Sequence, residues 1–287
     1  NGIPIKKEDL LKNIPYSKLL KSIAKEKSKV FYNGKIAADI VHTVQNAEIN
    51  PGLLDEIDLA EYRVKERPPV CIRYRGFDIC GMGPPSSGGI AIGQILIMLE
   101  SFDLSSMGPN SPDAWRLIGD ASRLAFADRG KYVADSDFVR VPTNDLLDKA
   151  YLKRRAKLLS QRNALPKVFP GVLPQFKRLS WSNDYSIEFP STSHISIVDK
   201  YGNAVSMTTT IENTFGSRLM TDNGFLLNNQ MTDFSFLSER KGSLVANRIQ
   251  ALKRPRSSMA PTIVLKDGEL ALVIGSPGGS RIIGYVL

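Results

Sequence analysis

The alternation of apolar and polar positions changes character about two thirds of the way along this chain of 287 residues. Before that point apolar residues recur every three or four positions, the spacing of one helix face. Leu19, Leu20 and Ile23 form such a face behind Pro15, and Ile36, Ile40, Val41 and Val44 form another behind Gly34. Ile92, Ile95, Leu96 and Leu99 make a third stripe, entered through a Gly/Pro/Ser loop from Gly81 to Gly89. That loop lacks the Gly-Lys-Ser/Thr ending of a phosphate cradle and reads as a packed loop-to-helix junction. A fourth helix is predicted behind Asn110-Ser-Pro-Asp113, with Ser111 as cap, Pro112 in the first turn, and Leu117, Ala121 and Leu124 turned inward. A fifth is expected near residues 146–159. Over 160–191 the prolines Pro166, Pro170, Pro174 and Pro190 break any long element, which predicts an accessible, mobile linker. From Thr192 onward the period falls to two, and strands are predicted near 192–198, 204–211, 262–266 and 270–275.

Turn residues fix the register of two hairpins. A three-residue loop of Lys200, Tyr201 and Gly202, with glycine in the left-handed position, pairs Asp199 with Asn203. Counting outward sets Thr192 opposite Thr210, with their hydroxyls within hydrogen-bond reach. In the first half, Arg75-Gly76 as a two-residue turn sets Cys71 opposite Cys80 at the closer, non-hydrogen-bonded spacing. A disulfide fits that spacing, but two buried thiols are the favoured reading.

Composition narrows the classes. A hydrophobic content of 42% suffices for a globular core. No run of 18 apolar residues exists, so no membrane span is expected. The opening residues, Asn1 to Asp9, are polar and turn-like and read as carrying no export leader. The net charge of +9 has its densest knot at Lys149, Lys153, Arg154, Arg155 and Lys157. This is expected to be a solvated helix face rather than a nucleic-acid patch, because no binding motif or aromatic interleaving accompanies it. The excess charge favours the approach of anionic substrates. Two cysteines with the scattered His42 and His194 give no ligand cluster, so neither metal nor cofactor is expected.

The candidate chemistry lies at Thr192. A threonine hydroxyl is a poor nucleophile until a base takes its proton, and one such base is the residue's own α-amine, present only if the chain is cut before it. That amine titrates at about 7.7–8.0, so much of it is neutral near physiological pH. From the hairpin alone, an ordinary Thr-rich strand pair remains open, since threonine is a good strand former.

The sequence around the hairpin carries more. Thr192-Ser-His-Ile-Ser, then Gly202-Asn-Ala-Val-Ser-Met-Thr-Thr-Thr210-Ile-Glu212, then Phe215-Gly216, resembles the signature of the γ-glutamyltranspeptidase family. Gly224-Phe-Leu-Leu-Asn-Asn-Gln230-Met-Thr-Asp233, Lys253-Arg-Pro-Arg-Ser257-Ser258-Met-Ala-Pro-Thr262 and Gly275-Ser-Pro-Gly278-Gly279-Ser-Arg281 follow in family order. Upstream, Phe31-Tyr-Asn-Gly34, Asp58-Leu-Ala-Glu-Tyr62, Pro84-Pro-Ser-Ser-Gly-Gly89 and Phe126-Ala-Asp-Arg129 resemble its large-subunit half.

The resemblance implies an α+β fold, the four-layer αββα sandwich of N-terminal-nucleophile hydrolases, helical in its first half and β-rich in its second. It implies a precursor that cuts itself between Ser191 and Thr192, dividing the chain into 1–191 and 192–287, the two subunits of a heterodimer. Thr192 would then attack a γ-glutamyl amide such as glutathione, Thr210 would orient it, and backbone N–H groups of Gly278 and Gly279 would form the oxyanion hole. Asp233, Gln230 and Glu212 would accept from the substrate's α-ammonium; Ser257 and Ser258 would donate to its α-carboxylate. The acceptor is water, an amino acid or a peptide, and the compartment implied by analogy is periplasmic or secreted. Glu212 departs from the Asn of the best-known members, and the segment 234–252 differs from the lid of lidded ones. The family's carboxylate-clamping arginine is not in this sequence, and the chain is expected to be a fragment of a longer protein. A glutaryl- or poly-γ-glutamyl-directed acylase of the same superfamily is the alternative activity, and a non-catalytic binding protein on this fold is the alternative class.

Overall fold

The computed structural model describes residues 4, 6–176, 181–186 and 191–287. The chain forms two compact units, one made of Asn1–Glu66 with Phe215–Asn229, the other of Arg67–Thr214 with Gln230–Leu287.

In the smaller unit, helix α1 (Ile14–Glu26) starts at Asn13, whose side chain accepts from the Tyr16 N–H, with Pro15 in the first turn. Helix α2 (Lys35–Gln45) lies beyond Gly34. Leu19, Ile36 and Ile40 are buried together, with Ile23, Phe31, Phe225 and Leu227 against them. Leu20 departs from the predicted stripe and is 49% exposed, because it sits one step, about 100° of helix, around from Leu19. The segment 215–229 is tied in by Asp39, whose carboxylate accepts from the N–H groups of Asp222 (3.0 Å) and Asn223 (2.9 Å).

The larger unit is built on one antiparallel sheet. Strands β1 (Val70–Tyr74) and β2 (Phe77–Gly81) form the first hairpin, in which Arg75 and Gly76 both take positive φ. Cys71 faces Cys80 as the register predicts, at a Cα–Cα distance of 4.1 Å, and the two are joined as a disulfide. This corrects the expectation of free thiols: the non-hydrogen-bonded pair brings the two side chains within bonding reach. Helix α3 (Gly88–Leu99) is buried nearly all round, at Ile90, Ile92, Ile95, Ile97, Met98 and Leu99, since it forms the centre of the main core. Helix α4 (Pro112–Tyr132) begins at Ser111, which accepts from the Ala114 N–H, and buries Leu117, Ala121 and Leu124 against α3.

Helix α5 (Lys149–Ala156) is shorter than expected, capped by Asp148 and followed by a 3-10 turn over Lys157–Ser160. Its basic knot is not wholly solvated. Arg155 is 8% exposed and donates to Asp128 Oδ1 (3.2 Å) and to the carbonyls of Leu124 (2.9 Å) and Phe169 (3.0 Å). A buried carboxylate needs such a counter-ion, so this cation is drawn inward.

The expected linker also behaves differently where it is described. Leu165, Leu173 and Phe176 are buried in the main core, and the Ser182 N–H donates to the Leu244 carbonyl. Asp184 pairs with Arg256 at 3.0 Å, both side chains almost fully buried. These parts are packed, because their apolar side chains and Asp184 find partners there. Residues 177–180 and 187–190, including the predicted breaker Pro190, lie outside the described residues.

After Thr192 the chain turns to strands: β3 (Ser193–Val198), β4 (Ala204–Thr209), β5 (Thr262–Lys266) and β6 (Glu269–Ile274). The sheet runs in the order β1-β2-β5-β6, and β3 pairs with β4 in a separate hairpin. That hairpin docks through Ser206, whose hydroxyl donates to the Ile274 carbonyl (3.0 Å) and accepts from the Thr262 N–H (3.0 Å). Its polar face is therefore the covered one. Ile195, Ile197, Val205 and Met207 are between 41% and 53% exposed, the reverse of the burial their alternation suggests. Helix α6 (Ile282–Val286) closes on α3, with Ile282 and Ile283 in the core.

Candidate active site

The β3–β4 register continues the count made from the turn: Asp199 donates its N–H to the Asn203 carbonyl, and the last paired residues are Ser193 and Thr209. Asp199 clamps the turn by accepting from the N–H groups of Tyr201 (2.8 Å) and Asn203 (2.9 Å). Thr192 and Thr210 stand one step beyond the ladder, facing a cleft. Around that cleft lie Ser191, Thr192, Thr210, Glu212, Gln230, Asp233, Ser257, Ser258 and Gly279, with Met259 and Ile282 as its apolar wall. Five separate stretches of sequence thus converge on it.

The two threonines do not bond each other in the uncut chain. Thr192 Oγ1 donates to the carbonyl oxygen of Ser191, and Thr210 Oγ1 accepts from the Glu212 N–H (2.9 Å). The expected contact is absent because the ladder ends at Ser193 and Ser191 still occupies one side of the hydroxyl. Thr192 consequently lies beside the peptide group that the proposed cut breaks.

The acceptor side of the cleft is held by unusual backbone. Glu212 is 5% exposed and sits at φ 72°, a left-handed conformation uncommon for any residue with a β-carbon. Such strain persists only where surrounding bonds over-determine it. Gln230 Nε2 donates to Asp233 Oδ2, and Asp233 is 9% exposed at the end of a 3-10 turn. Asn247, buried behind it, donates to the Asp233 carbonyl (2.8 Å) and to Asp184 Oδ2 (3.0 Å). A carboxylate, a second carboxylate and an amide oxygen in one cleft suit an ammonium group.

On the donor side, Ser257 and Ser258 are braced from below. The Ser257 N–H donates to the Pro85 carbonyl (3.0 Å), and the Ser257 carbonyl accepts from Ser87 N (2.8 Å) and Ser87 Oγ (2.7 Å). Arg129 Nη2 donates to Ser258 Oγ (2.5 Å). Neither Ser87 nor Arg129 was singled out for the site from sequence, although both fall inside family-like motifs, Pro84–Gly89 and Phe126–Arg129. Their signal was the motif itself; what they touch is remote in sequence.

The glycine pair follows β6. Gly278 takes φ 134° and Gly279 φ 57°, conformations that L side chains rarely adopt. Gly279 lines the cleft; Gly278 stands just behind it, under the ring of Tyr285. Close by, His194 Nδ1 meets Thr208 Oγ1 at 2.8 Å and Nε2 meets Ser196 Oγ at 3.0 Å. The ring lies so near Gly275 that a β-carbon there would fall 2.0 Å from it. Burial holds the His194 imidazole below its usual pKa, so it is neutral across the range in which an α-amine titrates. Among the described residues no group of three metal-ligating side chains occurs.

A family model described as gamma-glutamyltranspeptidase matches residues 1–287. The chain is 44% identical, over its whole length and 48% of the relative's, to a protein named glutathione hydrolase proenzyme from Escherichia coli K12. It is 36% identical to acylase ACY 1 proenzyme of Pseudomonas sp. strain V22, over 98% of the chain and 47% of that relative. The chain thus spans about half the length of the curated relatives it matches. Its fold superposes on cephalosporin acylase from Bacillus halodurans with a TM-score of 0.78 at 24% identity, covering 95% of this chain and 45% of that one. The α+β class expected from sequence is therefore the one observed, in a fold shared with that acylase.

Proposed function

The chain belongs to the γ-glutamyltranspeptidase family, and from that premise we propose that its protein matures by self-cleavage before Thr192 and then transfers or hydrolyses γ-glutamyl groups. In the first step Thr192 Oγ attacks the Ser191 carbonyl carbon, and the peptide C–N bond breaks as the hydroxyl proton passes to the departing nitrogen, leaving an ester and a free α-amine. Water hydrolyses that ester, giving a Ser191 carboxylate and a Thr192 N-terminus. The amine then takes the hydroxyl proton as Thr192 attacks the γ-carbonyl of the donor. The tetrahedral oxyanion is stabilised by N–H groups of Gly278 and Gly279, the amide C–N bond breaks, and the proton passes to the leaving amine. Water, an amino acid or a peptide attacks the resulting γ-glutamyl ester and restores Thr192.

The observation that carries this reading is the convergence of Thr192 and Ser191 with the acceptors Glu212, Gln230 and Asp233 and the serines Ser257 and Ser258 in one cleft. Acceptors and hydroxyl donors lining one cleft suit the glutamyl end of a substrate, which bears both an ammonium and a carboxylate. A glutaryl-directed acylase has no use for the acceptor cluster at Asp233, so the cleft favours the γ-glutamyl reading. The products proposed are two subunits, 1–191 and 192–287. The Cys71–Cys80 disulfide supports maturation in an oxidising compartment, periplasmic or secreted.

The test is an intact-mass spectrum of the purified full-length protein under denaturing, reducing conditions. Two masses meeting at the Ser191–Thr192 junction are expected, and a single uncut mass for Thr192→Ala. Two fragments from that variant would overturn the assignment.

A further inference from the structure

Behind the cleft one buried amide joins three stretches of chain. Asn247 is 1% exposed. Its Nδ2 donates to the Asp233 carbonyl (2.8 Å) and to Asp184 Oδ2 (3.0 Å), and its Oδ1 accepts from the Arg256 N–H (2.9 Å). Its own carbonyl accepts from the Ser235 N–H (2.9 Å). Asp233 ends the 3-10 turn Gln230–Asp233, and Arg256 directly precedes Ser257 and Ser258. One side chain therefore ties the backbone of the acceptor turn to the backbone of the serine stretch.

The orientation of that amide is fixed by chemistry. The Asp184 carboxylate and the Asp233 carbonyl only accept, and the Arg256 N–H only donates, so the NH2 group faces the first two and the oxygen the third. Turning the amide over would set its oxygen against two acceptors and its nitrogen against a donor. Arg256 Nη2 also donates to Asp184 Oδ2 (3.0 Å), which closes the frame. Ser257 is held separately, by the Pro85 carbonyl at its N–H and by Ser87 at its carbonyl. With the serine stretch fixed there, the bond at Arg256 sets where the acceptor turn stands relative to it. Removing the amide would leave buried polar groups on all three stretches unsatisfied, so they shift to find other partners.

We propose that Asn247 is a positioning residue for donor recognition, fixing the separation between the Gln230–Asp233 turn and the serines Ser257 and Ser258. This rests on the γ-glutamyl reading above. A donor gripped at both its ammonium and its carboxylate depends on that separation, whereas a molecule bearing only one of them settles against its partner wherever that partner stands.

The experiment measures KM and kcat of the full-length enzyme for γ-glutamyl anilide, and the inhibition constant of glutarate, which keeps a carboxylate and lacks the ammonium. For Asn247→Leu, close in size and without polar side-chain atoms, KM should rise about tenfold, with kcat changed far less and glutarate inhibition shifted by less than about threefold. Asn247→Ser, whose hydroxyl and added room for water keep part of the bonding, should move KM in the same direction by about threefold. Asp184→Asn is the structural control: it weakens the same buried frame but spares the Asn247 bonds to Asp233 and Arg256, so melting temperature should fall with KM nearly unchanged. Where glutarate does not inhibit the wild type, the split between KM and kcat, set against Asp184→Asn, decides. If Asn247→Leu alone fails to self-cleave or fold, Asn247→Ser carries the test. Equal losses for the anilide and glutarate, a fall in kcat with KM kept, or the same KM rise in Asp184→Asn would overturn the inference while leaving the reaction intact. An uncut Asn247→Ser would overturn it too, by assigning the residue to folding or maturation. A wild type inactive on γ-glutamyl anilide would overturn the reaction and this inference together.

Discussion

Asp233 shows what one side chain contributes to the cleft. Its carboxylate is buried to 9% exposure and accepts from Gln230, while its carbonyl is held by Asn247. Asparagine at this position keeps the size and loses the charge. A charge-assisted contact is worth about 1.5–3 kcal/mol, so Asp233→Asn should raise KM for γ-glutamyl anilide on the order of tenfold to a hundredfold. Glutaryl anilide, which has no ammonium, should be nearly indifferent, and the ratio of the two KM values measures the effect. At this scale the sequence was legible wherever chemistry repeats a family motif: Thr192, Glu212, Gln230, Asp233, Ser257 and Ser258 line one cleft. The bracing beneath them was not legible. Arg129 and Ser258 lie 129 positions apart, and nothing in either neighbourhood announces the other.

Elements were legible to the extent that their rules are local. The Gly202 and Gly76 turns fixed two hairpin registers to the residue, because a side-chain period of two leaves no intermediate pairing. Alternation tells which face of β3–β4 is apolar but not which face is covered, and here the hydroxyl of Ser206 decided the second question. The segment before the cut shows the same limit. Its prolines suggested a free tether, yet Asp184 anchors it to Arg256, 72 positions away. Burial alone would push the Asp184 carboxyl up, but Arg256, Asn247 and Ser186 together hold it below the usual carboxylate range. A carboxylate with a depressed folded pKa contributes its full stability above the unfolded value of about 3.9 and loses it as pH falls further, through the folded value. Melting temperature should therefore drop on acidification below about pH 4. Asp184→Asn should flatten that limb and lower stability at neutral pH by about 3 kcal/mol, since it strands a buried guanidinium.

For the molecule as a whole, the proposed cut and the packing do not divide the chain at the same place. Each compact unit takes residues from both sides of Ser191–Thr192. The central sheet does likewise: β2 pairs with β5 from Phe77 opposite Lys266 to Gly81 opposite Thr262. Cleavage should therefore leave one particle under native conditions, and the two fragments should co-elute on gel filtration until denatured. Pairing across the cut also changes the order of the folding reaction. Before cleavage, β2 finds β5 within its own chain, at a rate independent of protein concentration. Afterwards the two must meet by diffusion, so refolding of the nicked protein should slow in proportion to dilution while that of Thr192→Ala does not. The sheet thus gives maturation a direction in time: the chain assembles while it is still one piece, and the cut converts a reversible folding problem into a second-order encounter.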